Sequence, residues 1–194
     1  MRGKRLRQTL HMYLTLSPHK RTKYLKENKV FASMGEHCSI MDRKIPLYAN
    51  LIKIGNNVHI ASKVDFIPHD ITHVMLNGIT PDILRGGGTV KEKIGCIEVG
   101  NNVFIGSNTT VLQNVRIGSN VIIGAGSLVN KDIPDNSVVG GVPARVIGTF
   151  EDFLRKRMGE VSYPNEFRVS GEAVNEQFAE WLWRQFYRTR EESK

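Results

Sequence analysis

Between residues 99 and 134 the chain reads as six uninterrupted lines of six: VGNNVF, IGSNTT, VLQNVR, IGSNVI, IGAGSL and VNKDIP. The first column is aliphatic throughout (Val99, Ile105, Val111, Ile117, Ile123, Val129), and the second carries Gly100, Gly106, Leu112, Gly118, Gly124 and Asn130. The fifth holds Val103, Thr109, Val115, Val121, Ser127 and Ile133. A period of six fits neither a helix near 3.6 nor a flat strand of period two; it describes short extended runs separated by evenly spaced corners. β-Branched residues suit the runs, and Gly or Asn suits corners that need positive φ. Such a chain coils into a prism, lays each turn's backbone bonds on the next, and makes the Val and Ile column a continuous interior stripe.

The pattern extends upstream through IGNNVH, IASKVD and FIPHDI, which place Ile54, Ile60 and Phe66 inside, with Val58 and Val64 four positions behind their leaders. Residues 30 to 53, with Met34-Gly35 and Ile40 to Pro46, read as loosely formed first coils. Ile54 and Val99 stand 45 residues apart, which is not a multiple of six, so a segment is looped out. Thr72 to about Ile94, with Gly78, Pro81 and Gly86-Gly87-Gly88, is the expected excursion. A loop of this length inside a compact domain points to function.

The flanks change period. From Lys4 to Leu16, Leu6, Leu10, Tyr13 and Leu14 fall on one helical face, and Ser17-Pro18 caps a second short helix carrying Tyr24 and Leu25. These helices are the expected cover for the open end of the prism, whose terminal coil exposes unpaired backbone and core. After Pro134 the prism closes through GGVPARVIG; Phe150, Phe153, Leu154 and Met158 then follow at helical spacing behind a Thr149 cap. Beyond Tyr163-Pro164, Val174, Phe178, Trp181, Leu182 and Phe186 mark one face of a last helix, with Trp183 and Tyr187 on another. A helix apolar on two sides suits packing between surfaces, including a neighbouring subunit. The 194 residues therefore divide into a helical segment over 1–29, a coil domain over 30–148 and a helical extension over 149–194.

The net charge of +8 is local: residues 1–29 hold nine Lys or Arg against one Glu, and the remainder carries 18 of each sign. A domain-wide nucleic-acid footprint is thus absent. The basic segment is a solvated helical face or, in a competing reading, a peripheral contact with a membrane surface. Cys38 and Cys96 are too few for a disulfide framework and too far apart for a CxxC pair, which points to packing residues in a reducing, cytoplasmic compartment. No apolar run approaches the length of a membrane span, and the faint signal-peptide outline at the start lacks a cleavage site.

Among the six histidines, His69 lies where the last coil before the excursion reaches a corner, so its ring can face a cleft while Phe66 faces inward. Histidine, with an ordinary pKa of about 6.5, is suited to take a proton from a hydroxyl near neutral pH. His73 is the alternative base and His59 a second wall of the cleft; His11, His19 and His37 read as structural or exposed. Asp70, adjacent on the strand, points to the opposite face and stays outside the catalytic set.

IGNNVHI at 54–60, IGAGSLVNKDIP at 123–134 and GGVPARVIG at 140–148 together resemble the hexapeptide-repeat acyltransferases, over roughly residues 30 to 150. The resemblance implies an all-β solenoid, a left-handed parallel β-helix with three hexapeptides per coil, helical flanks and one extruded loop enclosing the acceptor. It implies acetyl-CoA as co-substrate, no metal, and direct transfer in which KVDFIPHD leads to a catalytic His69 and backbone amides hold the oxyanion. By the same resemblance Ser107 and Ala125 offer an edge to pantetheine, Asn130 and Lys131 follow one coil end later, and Arg145 stands near the nucleotide phosphates. A groove with two walls implies a homotrimer with interfacial sites. Galactoside and maltose acetyltransferases show His-Pro where this chain has His69-Asp70, and an upstream carboxylate that LYANLIKIGNN lacks. The His-Asp form is similar to that of capsular and lipopolysaccharide O-acetyltransferases, so the expected acceptor is a saccharide unit of a surface polymer. Competing readings are N-acylation of an amino sugar, a zinc hydratase like the γ-type carbonic anhydrases through His59, His69 and His73, and a non-catalytic scaffold docking through residues 1–29.

Overall fold

The period of six becomes a stack of short parallel strands. The protein, described by a computed structural model, is resolved into two compact units, residues 1–155 and 156–194. The structure describes residues 2–79, 88–160, 162–167, 169 and 173–191, so Pro81, Gly86 and Gly87 of the expected excursion lie outside it.

In the first unit, helices α1 (Arg2–Leu14) and α2 (Pro18–Glu27) precede an irregular coil bearing β1 (Ser33–Met34) and β2 (Ser39–Ile40). The next coil carries β3 (Ile52–Ile54), β4 (Val58–Ile60) and β5 (Asp65–Ile67). An excursion follows, with β6 (His69–Asp70), α3 (Thr72–Leu76) and β7 (Lys93–Ile94). Coiling resumes with β8 (Ile97–Val99), β9 (Val103–Ile105) and β10 (Thr110–Leu112), then β11 (Val115–Ile117), β12 (Val121–Ile123) and β13 (Leu128–Val129). It ends with β14 (Ser137–Gly140) and an antiparallel return, β15 (Arg145–Thr149).

Three parallel stacks result: β1-β3-β8-β11, β2-β4-β9-β12-β14 and β5-β10-β13. Because the chain visits the three in turn, it winds about a central core; Val99 pairs with Ile117, so a regular coil takes 18 residues. Ile54 pairs with Val99 across 45 residues, a surplus of 27 over that coil. The looped-out segment inferred from the broken register is therefore real.

Both expected columns face inward. Every first-column residue from Val99 to Val129 is buried, and so is every fifth-column residue, Thr109 and Ser127 included. Those two hydroxyls are satisfied by a single acceptor, the Gly124 carbonyl, at 3.3 and 2.6 Å, which avoids the cost of an unpaired buried polar group. Each fully buried Val or Ile contributes about 1.5–3 kcal/mol.

The corner after the first stack is bound by its own side chains. Asn57, Asn102, Asn120 and Asn136 all adopt left-handed backbone, φ 55–57°, and their amides form a ladder with links of 3.0, 2.9 and 2.8 Å. A Cβ added at Gly100 would meet the Gly118 carbonyl oxygen at 2.7 Å, so coils can stack this closely only without one.

At the open end, α2 begins at its Ser17 cap and packs on β2, and Leu25 joins the core together with Met12 of α1. The buried Arg21 donates to the Thr15, Leu16 and Met41 carbonyls at 2.8, 2.7 and 3.3 Å, tying the end of α1 to the first coil. This anchor corrects the expected packing of α1: Gln8 and Met12 face inward, whereas Leu6, Leu10, Tyr13 and Leu14 are 54–74% exposed. The richer apolar stripe lost because the clamp at the helix end fixes its rotation. Cys96 is also exposed rather than packed, because it stands at a corner; Cys38 is half-buried, and burial pushes its thiol pKa up.

Helix α4 (Phe150–Gly159) starts where the Thr149 hydroxyl accepts from the Asp152 amide, as expected of that cap. In the second unit, α5 (Glu176–Glu191) is capped by Asn175, whose Oδ1 accepts from the Phe178 amide. Phe178 is buried among Tyr163, Phe167 and Trp181, while Leu182, Trp183, Phe186 and Tyr187 are exposed. Among the described residues no helix is long and apolar enough to cross a membrane.

Candidate functional site

The three corners differ in what they leave free. The Asn corner is self-satisfied; the corner following β5 and its stack opens into the excursion. Pro68 ends β5, and its carbonyl accepts from the Gly95 amide at 2.9 Å, so residues 69–94 leave and return at one point. The neck is zipped by antiparallel pairs, His69 with Ile94 and Asp70 with Lys93. Farther out, the Asn77 side chain both donates to the Val90 carbonyl and accepts from its amide, each at 2.8 Å.

His69 is thus the first residue of the neck, half-buried, on the wall of a cleft of about 390 Å³. Arg5, Lys44, Pro46, Leu47, Asp65 and Phe66 contribute to the same cleft. Among the described residues the His69 Nδ1 is buried without a hydrogen-bond partner, a state that calls for an explanation such as a bound ligand, a water or a catalytic role. Its ring is held by an aromatic contact: Tyr48 stands edge-on at 5.4 Å between centroids, with 88° between planes. Tyr48 has left-handed backbone (φ 55°) and donates its hydroxyl to Glu92 Oε2 at 3.1 Å, which joins the first coil to the returning limb of the excursion. That hydrogen bond, with burial, holds the phenol above its ordinary pKa. Asp70 Oδ1 accepts from the Thr72 amide at 2.7 Å and starts α3, so its carboxyl lies below the usual range. It serves the turn and has no bond to His69.

His73, on α3, also has a buried Nδ1 without a hydrogen-bond partner among the described residues. His59 does not share the cleft: it sits on β4 in another stack, with Nδ1 at 2.7 Å from Ser39 Oγ and Nε2 at 3.0 Å from Asn57 Oδ1. His11 stacks on Tyr24, a structural role.

The other expected site residues divide between two corners. Asn130 and Lys131, both exposed, follow β13 in the stack of β5, two coils beyond Pro68 and so about 10 Å from it along the axis. Ser107 and Ala125 occupy the corner between the second and third stacks, one coil apart, with the Gly126 amide donating to the Ser107 carbonyl at 2.8 Å. Arg145 begins β15 just after the turn that folds back on β13, where the Ala144 amide donates to the Leu128 carbonyl. A strand and its turns, on the order of 10 Å, separate the two corners within one chain. His69 and the Ser107–Ala125 edge are therefore not brought together by a single copy.

Tyr48, Glu92, Arg5, Lys44 and Asp65 were not among the expected site residues. Part of the signal is in the sequence. The irregular first coil takes 20 residues, since Ser39 pairs with His59. Counting back by that length from Asp65 lands on Ile45, between Lys44 and the Tyr48 turn.

The family described as bacterial transferase hexapeptide (six repeats) matches residues 97–131. Protein CapG of Staphylococcus aureus is 34% identical over 152 residues, covering 77% of this chain and 84% of that protein. The galactoside O-acetyltransferase of Escherichia coli (strain K12) is 32% identical over 166 residues, covering 78% and 79%. Among solved structures, a galactoside acetyltransferase in complex with coenzyme A is similar with a TM-score of 0.53 and 29% identity, covering 87% of this chain and 89% of that one.

Proposed function

Since the chain belongs to the hexapeptide-repeat acetyltransferases, we propose that it moves an acetyl group from acetyl-CoA to a hydroxyl of a saccharide, with His69 as general base. The carrying observation is the position of His69, on a cleft wall at the neck of the excursion, with a buried ring nitrogen that has no hydrogen-bond partner among the described residues. In this reading the imidazole takes the hydroxyl proton, the sugar oxygen forms a bond to the thioester carbonyl, and the carbon–sulfur bond breaks. The departing thiolate receives the proton from the imidazolium. No covalent enzyme intermediate is required.

The coil is left-handed in this proposal, as the family implies, with residues 30–148 the catalytic β-helix, 1–29 a basic helical segment and 149–194 an extension. Pantetheine lies along Ser107 and Ala125, with Asn130, Lys131 and Arg145 toward the nucleotide end. Because His69 and the Ser107–Ala125 edge occupy different corners, the site takes its two walls from two copies. A contact of unlike patches closes into a ring, here a homotrimer. The acceptor is a unit of a surface polysaccharide or its precursor. A cytoplasmic setting is supported by two unpaired cysteines. Contact of residues 1–29 with an anionic membrane surface is supported by the outward Leu stripe of α1 and the local charge of +8.

The test is thiol release from acetyl-CoA across a panel of saccharides, repeated with His69→Ala. The substitution should lower kcat/KM at least about a hundredfold, the low end for losing a general base. Full turnover by the variant would move the assignment to His73.

A further inference from the structure

The cleft walls carry a charge that the transfer chemistry does not use. Arg5 reaches the cleft from α1, and Lys44 and Asp65 line it beside His69. Lys44 Nζ is paired with Asp65 Oδ1 at 2.9 Å, so these two cancel. Arg5 makes no hydrogen bond or ion pair among the described residues, and the cleft is left with one uncompensated guanidinium. Val64, Phe66, Pro46 and Leu47 line the same cleft, and the Arg5 side chain stays open to an incoming ligand.

The phosphates of CoA are a poor occupant. When the thioester lies at His69, the nucleotide lies at the far end of an extended pantetheine, beyond a cleft of about 390 Å³. What fills the space between His69 and Arg5 is the acceptor itself. A saccharide ring there presents one hydroxyl to His69 and a second substituent to the guanidinium, whose planar fork matches a carboxylate or phosphate and gains little from a neutral hydroxyl.

Resting on the transfer reading above, we propose that the acceptor is an anionic saccharide, carrying a carboxylate or phosphate, and that Arg5 is its specificity-determining contact. Lys44 stays engaged with Asp65 and sets the edge of this subsite. Arg5 shares the face of α1 that carries the inward-facing Gln8 and Met12, so turning the Leu stripe inward would carry Arg5 away from the cleft.

The experiment compares three acceptors at saturating acetyl-CoA: methyl galactoside, its C6 acid methyl galacturonoside, and galactose 1-phosphate. Calorimetry of the same three ligands on CoA-saturated protein runs in parallel. A charged contact of this kind is worth about 1.5–3 kcal/mol, or about ten- to hundredfold. One acidic acceptor should therefore exceed the neutral one by at least about tenfold in kcat/KM, and which of them does so separates carboxylate from phosphate. Arg5→Gln should remove the preference, the loss falling on acceptor KM rather than kcat, and Arg5→Lys should restore part of it. Equal use of neutral and acidic sugars, or a rise in KM for acetyl-CoA instead, would overturn the subsite while leaving acetyl transfer standing. Binding of an acidic sugar that depends on Arg5, with no thiol release on any acceptor, would uphold the subsite and sink the transfer reading.

Discussion

Tyr48 holds left-handed backbone with a bulky side chain, a strain of order 1–3 kcal/mol that persists only where the surroundings enforce it. Here they do so through the ring edge on His69 and the hydroxyl on Glu92. Tyr48→Phe keeps the first contact and loses the second; Tyr48→Ala loses both. Thiol-release kinetics should show a fall of a few-fold for Phe and at least about tenfold for Ala, in kcat rather than KM, as expected when a base is misoriented. Asp70 gives a pH prediction of definite sign. Its folded pKa lies below the ordinary carboxylate value because the Thr72 amide donates to it. Its contribution to the α3 start is thus complete above about pH 4 and fades as the pH falls through the lowered folded value. The Asp70 carboxyl carbon resonance should titrate with its midpoint below about pH 4; a midpoint between about pH 5 and 6 would contradict this.

At the scale of the element, corners and caps decide more than the strands they join. Gly100→Ala drives a Cβ against the Gly118 carbonyl of the next coil, and chemical denaturation should show a loss of about 1–3 kcal/mol. Arg21→Ala removes a buried side chain that donates to three carbonyls and should cost about 2–4 kcal/mol in the same measurement. The coil itself was legible from Val99 to Ile133 because a side chain that must be buried once per corner leaves a period no other element shares. The excursion was legible as a count, since the misfit of Ile54 with Val99 needs only subtraction. The face of α1 was not, because local periodicity favoured four large apolar residues over Met12 and could not see Arg21 clamping the helix end. Tyr48 and Glu92 were hidden for a related reason. Their meeting depends on an irregular coil of 20 residues and on the return of a long loop, neither of which repeats. If the outward Leu stripe of α1 meets lipid, anionic vesicles should sediment with the intact protein and Leu6→Ser/Leu10→Ser should abolish the association; equal binding by the variant would contradict that role.

At the scale of the whole molecule, one chain presents two half-sites. In the proposed reading the corner with His69 supplies the base and the acceptor cleft, and the corner with Ser107 and Ala125 supplies an edge of small residues for pantetheine. A three-sided column keeps these about a strand apart, and the proposed reading closes the gap with a second copy. Subunit complementation tests this most directly. His69→Ala and Ala125→Trp, the latter an exposed position where a large ring blocks the edge, should each be nearly inactive as pure assemblies. Co-refolded in equal amounts, they should regain about a quarter of wild-type thiol-release activity, because a random mixture places an intact base beside an intact edge at that fraction of interfaces. Mixed assemblies that stay as inactive as their parents would contradict a site shared between copies.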